Sequence, residues 1–229
     1  MEKFLQYGTR HADDMFQMLL QHVAMCAAAL GISIVIATLI SMALLHHKNT
    51  SKVVIALLGA CYAIPSMAMF AMLLPIFGLG QSGPIIALVI YSQFVLTRNI
   101  LQGFRGIDSS IVDVAKGMGM SSWQVFSKVQ LPLAMPVILG GLRIAVLVTI
   151  GSATVAQTVD AGGLGELLFE GMRTNNNIKI IWGVILIAAL ALACNYALAY
   201  AEKRALRFAR GEAAPRKQKL LHKTSVSQS

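Results

Sequence analysis

Residues Asp108 to Pro132 read DSSIVDVAKGMGMSSWQVFSKVQLP. This is a polar interruption in a chain otherwise built from long apolar blocks. Asp108 can cap a short helix, Ser109 to Lys116. Gly117-Met118-Gly119 breaks it, and Ser121 or Ser122 can cap a second helix carrying Trp123, Phe126 and Val129. Leu131-Pro132 is expected to end that helix and lead into the next apolar block. Ile111, Val112, Ala115 and Met118 form one apolar stripe; Trp123 and Phe126 form another. Two short amphipathic helices need something to cover their apolar faces. The membrane interface, the protein's own core and a groove on a soluble partner are the three options.

The flanking sequence says where this hairpin sits. The chain has 229 residues, of which 56% are hydrophobic and only 13% charged, too few charges to keep a soluble surface wet. No Asp, Glu, Lys or Arg occurs from Met15 to Leu45, from Val53 to Thr97, or from Ile180 to Ala201. A bilayer core takes roughly 20 apolar helical residues, so the first and third blocks each hold one span and the second holds two. Backbone groups find no water in lipid, and runs such as Val53-Val54-Ile55-Ala56-Leu57-Leu58 do not alternate as barrel strands do. The fold class is therefore all-α and polytopic. Five spans are expected, at about 19–45, 53–77, 85–104, 133–159 and 178–201, with Gly78 to Pro84 splitting the long block. The stretch Leu164 to Met172 is too short for a sixth and holds Glu166 and Glu170. This divides the chain into an N-terminal segment (1–18), a transmembrane domain (19–201, with the polar loop at 105–132) and a basic tail (202–229) expected to be disordered. The first 14 residues lack a signal-peptide pattern, so the first span is expected to be retained.

Charge sets the orientation. Glu202 to Lys223 carries eight Lys/Arg against two Asp/Glu, and so supplies +6 of the net +9. A basic segment abutting a span faces anionic cytoplasmic lipid, which argues against nucleic acid as the partner. Arg98, Arg105, Lys116 and Lys128 around the hairpin and Lys48 and Lys52 in the first turn fall on the same side as the tail if there are five spans. The N-terminus is then outside and the C-terminus cytoplasmic. Cys26, Cys61 and Cys194 lie far apart inside spans, with no metal-ligand or disulfide spacing.

The hairpin carries a recognisable spacing. Asp113-Val114-Ala115, Gly119, Val129 and Leu131-Pro132 resemble the Glu-Ala-Ala motif of ABC importer permeases, with Asp in place of Glu and Val in place of the first Ala. Arg98-Asn99, Ala115 to Met120, Gly141-Leu142-Arg143 and Ala161 to Glu166 look like the betaine, choline and carnitine branch of that family; Gly162 to Gly165 is also similar to methionine-importer permeases. The resemblance covers about Pro84 to Arg173. It implies the type I ABC importer permease (MetI-like) fold and an inner-membrane location. It implies a pathway built by two permease subunits, identical or related. A coupling helix, with Asp113, Ala115, Gly119, Trp123, Val129, Leu131 and Pro132 as its contact set, would sit in a cytoplasmic ABC ATPase dimer. A substrate-binding protein would deliver cargo from outside. The chain has no Gly-x-x-x-x-Gly-Lys-Ser/Thr loop. ATP and Mg would thus belong to the partner, with no cofactor, metal or catalytic residue expected on this chain.

Other residues read two ways. Arg143, the one charge inside a span, either serves the pathway or snorkels into a structural pair. Tyr62 and Tyr91 are placed for a pathway and could stack on a quaternary ammonium; Trp182, Tyr196 and Tyr200 suit packing or an interfacial belt. Pro65 and Pro75 could kink the second span, with Pro65 lining the pathway. Gly162, Gly163 and Gly165 could form an outer gate or an ordinary turn. His46-His47 reads as a solvated turn. A channel or passive carrier is the reading from another class, and the coupling motif argues against it.

Overall fold

The computed structural model describes residues 2–209, and every regular element among them is helical. A short amphipathic helix, α1 (Glu2–Arg10), precedes α2 (Ala12–Leu44), so the first span starts earlier than its apolar composition alone indicates. Next come α3 (Lys48–Ala63), α4 (Ser66–Phe77) and α5 (Ser82–Arg105). The hairpin follows as α6 (Ser109–Gly117) and α7 (Ser122–Val125). Helices α8 (Leu131–Val155), α9 (Gly165–Arg173) and α10 (Asn177–Ala209) complete the fold. Among the described residues, four helices are long and apolar enough to cross a membrane; the bent pair α3–α4 makes five when counted as one span.

That pair departs most from the sequence reading. The second span is two helices meeting at 91°. Ile64 is held extended (φ −66°, ψ 128°) by the ring of Pro65, which disfavours helical geometry in the residue before it. The carbonyl of Ile64 is not left bare, because the Tyr91 hydroxyl donates to it at 2.8 Å. Pro75 stays inside α4, which ends at Phe77 before Gly78 (φ +71°).

Helix α5 is the hub. On α2, residues Ala29, Ser33, Ala37 and Ser41 are completely buried at four-residue intervals. Such a stripe of small side chains lets membrane helices approach closely. The Gln93 side-chain amide of α5 donates to the Ser33 carbonyl at 3.3 Å. The Ser41 hydroxyl donates to the Thr97 carbonyl at 3.5 Å. On the α8 side, Ser92 and Thr149 pair at 3.3 Å. A Cβ at position 141 would overlap the Asn99 side chain, so glycine is what lets α8 cross α5 here. Both partners of this crossing belong to the segments that carried the family resemblance.

Two boundaries differ from expectation. Leu131-Pro132 does not end the second hairpin helix. Instead α7 runs through a π segment, Phe126–Gln130, directly into α8. Pro132 stands at the start of α8, immediately after the π segment. At the other end, α10 stays helical to Ala209, so the first part of the supposed tail continues the last span. The expected disorder of the remainder, 210–229, falls outside the described residues. The Gly- and Asn-rich link after the fourth span contains α9, a short helix that does not span.

Candidate coupling hairpin and transport pathway

Each turn of the hairpin has a local cause. Asp108 caps α6 by accepting the Ser110 N–H at 2.9 Å. That backbone donor, together with the Ser110 side chain, holds the Asp108 carboxyl below the usual carboxylate range. Helix α6 closes with Gly119 N–H donating to Lys116 O at 2.9 Å and Met120 N–H to Ala115 O at 3.3 Å. This pair of bonds is the Schellman motif, which places its C′ residue in the left-handed region. Gly119 occupies that position with φ +81°. A Cβ there would meet nothing within 4 Å, so conformation rather than crowding within the chain demands the glycine. Ser121 starts α7 with a capping box, reciprocated by Gln124.

The hairpin is seated on its inner side and open on its outer side. Ala115 and Val125 are buried, and Phe126 stacks on Phe104 of α5 at 5.6 Å. Val129 lies beneath α6 and helps to line a shallow apolar cleft of about 290 Å³ with Ile111, Val114 and Met118. Val114, Met118 and Trp123 are 62%, 71% and 72% exposed, an apolar face that nothing among the described residues covers. Val112 is half buried, so Val114 rather than Val112 joins the outward stripe. Asp113 is exposed, and its carboxylate meets no donor among the described residues. Leu131 packs into the core against α5, and Pro132 faces the last span.

Arg105, which the sequence marked only as a positive charge, anchors the hairpin's root. Its guanidinium donates to Leu44 O and Ser51 Oγ, each at 2.8 Å, tying the end of α5 to the α2–α3 turn. The guanidinium gives the Leu44 carbonyl a second donor beside the His47 N–H and also reaches the Leu45 carbonyl at 3.3 Å.

Inside the bilayer, Tyr62 and Tyr91 come together at the α3–α4 elbow. Their rings meet edge to face at 6.1 Å, and Tyr62 also packs on Phe94 at 5.2 Å. With Ile64, Ser66, Val148 and Ser152 they line a cavity of about 210 Å³, adjacent to Pro65. Arg143 lies elsewhere, on the α8–α10 seam. Its guanidinium is 3.0 Å from the Glu202 carboxylate, the geometry of the structural pair.

At the opposite end from the hairpin, Gly162 (φ +74°) and Gly163 (φ +77°) form a tight loop. The Gln157 side chain accepts the Gly162 N–H at 2.9 Å, and Gln21 of α2 accepts that of Gly163 at 3.3 Å. The fully buried His22 packs under Gly163, and a Cβ at Gly165 would overlap the Thr154 carbonyl. The glycines thus seat one loop against two spans. Gln21, His22 and Gln157 were missed in the sequence, although Gln21-His22 is a polar pair within an apolar block.

Comparison with known proteins agrees with this architecture. Residues 29–206 match the family model described as "Binding-protein-dependent transport system inner membrane component". The chain is 32% identical over 184 residues to the glycine betaine/carnitine/choline transport system permease protein OpuCB of Bacillus subtilis (strain 168), covering 80% of this chain and 85% of that one. It is 33% identical to the carnitine transport permease protein OpuCB of Listeria monocytogenes, covering 80% and 83%. It is 30% identical to the osmoprotectant import permease protein OsmW of Salmonella typhimurium, covering 85% and 93%. Among solved structures, the inward-facing MetNI methionine ABC transporter superposes with a TM-score of 0.74 at 18% identity, over 83% of this chain and 95% of that one.

Proposed function

This chain belongs to the family of binding-protein-dependent transport system inner membrane components, and on that premise we propose that it imports quaternary-ammonium osmoprotectants. It is a membrane-spanning ABC importer permease subunit. The relatives named for glycine betaine, carnitine and choline support the substrate class. The methionine transporter shares the fold at an identity too low to speak for cargo.

The observation that carries the mechanism is the capped hairpin between the third and fourth spans, with Val114, Met118 and Trp123 turned outward. A cytoplasmic ATPase dimer would cover that face, with Asp113 free to accept a hydrogen bond from it and Gly119 fixing the turn. ATP and Mg²⁺ bind on that partner. Closing of the ATPase dimer would pull the hairpins of two permease subunits together. Because α7 continues into α8, the pull would reach the middle of the membrane without crossing a loop. The N-terminus lies outside and the C-terminus inside. Cargo delivered by an external binding protein would enter past the Gly162–Gly165 loop, the outer gate. It would then pass the Tyr62–Tyr91 elbow, where aromatic faces favour a trimethylammonium group. Selectivity resides mainly in the binding protein.

The test is uptake of labelled glycine betaine and of labelled methionine in a strain lacking this chain, with and without restoring it, at low and high salt. Restored betaine, choline or carnitine uptake supports the reading. Restored methionine uptake alone replaces the substrate class, and uptake independent of ATP removes the coupling mechanism.

A further inference from the structure

We propose that the cytoplasmic end of the α8–α10 seam binds an anionic phospholipid, with its phosphate on Arg204 and one acyl chain in the groove beside it. The groove holds about 520 Å³ and is walled by Leu131, Pro132 and Met135 of α8 and by Ala201, Ala205 and Phe208 of α10. Among the described residues, Arg204 is its only charged wall residue. An apolar slot with one guanidinium on its wall, and Ala201 and Met135 on the membrane side of it, fits an amphiphile with a negative head and an apolar tail.

Three observations select lipid as the occupant. First, α10 is the least enclosed span: 6% of its apolar window is buried, against 61% for α5, so its outer face is available to the bilayer. Second, the groove lies where the apolar run of α10 gives way to Lys203, Arg204 and Arg207, all exposed, which is headgroup depth. Third, the local charge is unneutralised. Glu202 is directed to Arg143, and Arg204 makes no ion pair among the described residues. Basic pockets between membrane helices on the cytoplasmic side are suited to anionic headgroups. The chain's own segment beyond Ala209 has five Lys/Arg and one Glu, the wrong sign for Arg204. Leu131 and Pro132 begin α8 where it continues from the coupling hairpin, so a bound lipid would brace the lever at its root. The leaflet, though not the site, rests on the orientation proposed above.

The experiment places the intact transporter in phosphatidylcholine nanodiscs doped with a phosphatidylglycerol bearing a diazirine on its acyl chain. Adducts are mapped after illumination. Adducts are expected on Met135 or Ala201, the wall residues on the membrane side of Arg204, reduced about fivefold by Arg204→Gln, as expected for one basic residue near an anionic surface. Ala205→Trp, which fills the slot and keeps the charge, should lower them as well, while Arg10→Gln at the other end leaves them unchanged. Adducts scattered along α10, labelling unmoved by Arg204→Gln, or equal labelling by the phosphatidylcholine analogue would overturn the site. A rise on truncation after Ala209 would assign the groove to the tail, and loss on adding ATPase would assign it to that partner; either result also overturns the proposal. Membrane-impermeant labelling of Lys116→Cys in sealed vesicles reads the orientation separately.

Discussion

Replacing Gly119 by alanine should weaken coupling through backbone geometry alone. The residue sits at φ +81° with open space where a Cβ would go, so no contact within the chain resists the methyl group. An L-residue in the left-handed region costs roughly 1–2 kcal/mol. With tenfold per 1.4 kcal/mol, that lowers the population of the native turn by about 5- to 30-fold relative to alternatives. The Gly119–Lys116 and Met120–Ala115 bonds would be lost with the turn. Asparagine tolerates this conformation far better than alanine. Gly119→Asn should therefore keep most of the function, Gly119→Ala should lose up to that factor, and Gly119→Leu should lose at least as much. The assay is ATP hydrolysis and labelled-substrate uptake by the reconstituted transporter, normalised to the permease recovered in the membrane. Wild-type coupling by Gly119→Ala would refute the reasoning. If asparagine proves as damaging as leucine, the partner needs the empty space and the dihedral argument fails.

Four further outcomes are expected. Tyr91→Phe removes the hydroxyl that satisfies Ile64 O, so the elbow should lose about 1 kcal/mol, read as a lower unfolding midpoint in detergent. For the Arg143–Glu202 pair, Arg143→Gln leaves the buried Glu202 carboxylate oxygen without its cation and should lower the unfolding midpoint in detergent, while uptake should survive; complete loss of uptake with the fold intact would return Arg143 to the pathway. At position 165, Gly165→Ala should block transport while leaving hairpin binding to the ATPase unchanged, because the Thr154 carbonyl occupies the space; normal uptake would remove the loop from the mechanism. Finally, the Asp108 carboxyl is held below its ordinary value by Ser110. Its cap therefore stabilises α6 fully above the ordinary aspartate range and fades as pH falls through the folded-state value. Amide exchange across Ser109–Gly117 should show that dependence, and Asp108→Asn should flatten it.

The hairpin was legible because its determinants are local. Asp108, Gly119 and Ser121 act on backbone groups within a few residues, so their types and spacing announce the turns. The spans were legible because the bilayer imposes length and composition. What escaped was set by partners distant in sequence. The sharp elbow at Pro65 depends on Tyr91 to satisfy the opened carbonyl. Gly141 makes sense only once Asn99 is seen in the space beside it. Arg105 counted as a loop charge until Leu44 and Ser51 appeared beneath it. The continuation through Leu131-Pro132 was hidden because a proline reads as a stop, whereas here it begins a helix already under way.

The wide turn at Phe126–Gln130 has a consequence for angular alignment. Phe126 faces Phe104, and Ala134 lies against Gly103, so both must point toward α5. In an uninterrupted α-helix at about 100° per residue, positions 126 and 134 would stand about 80° apart around the axis. Looping out one residue, as a π-bulge does, brings them to within about 20° of each other. The bulge works like a splined shim: without it, either the lever or the shaft would be turned away from its bearing. Removing one residue here would let an uninterrupted helix keep nearly the same alignment, whereas inserting one would turn lever against shaft by about 100°, so an insertion should do more harm than a deletion.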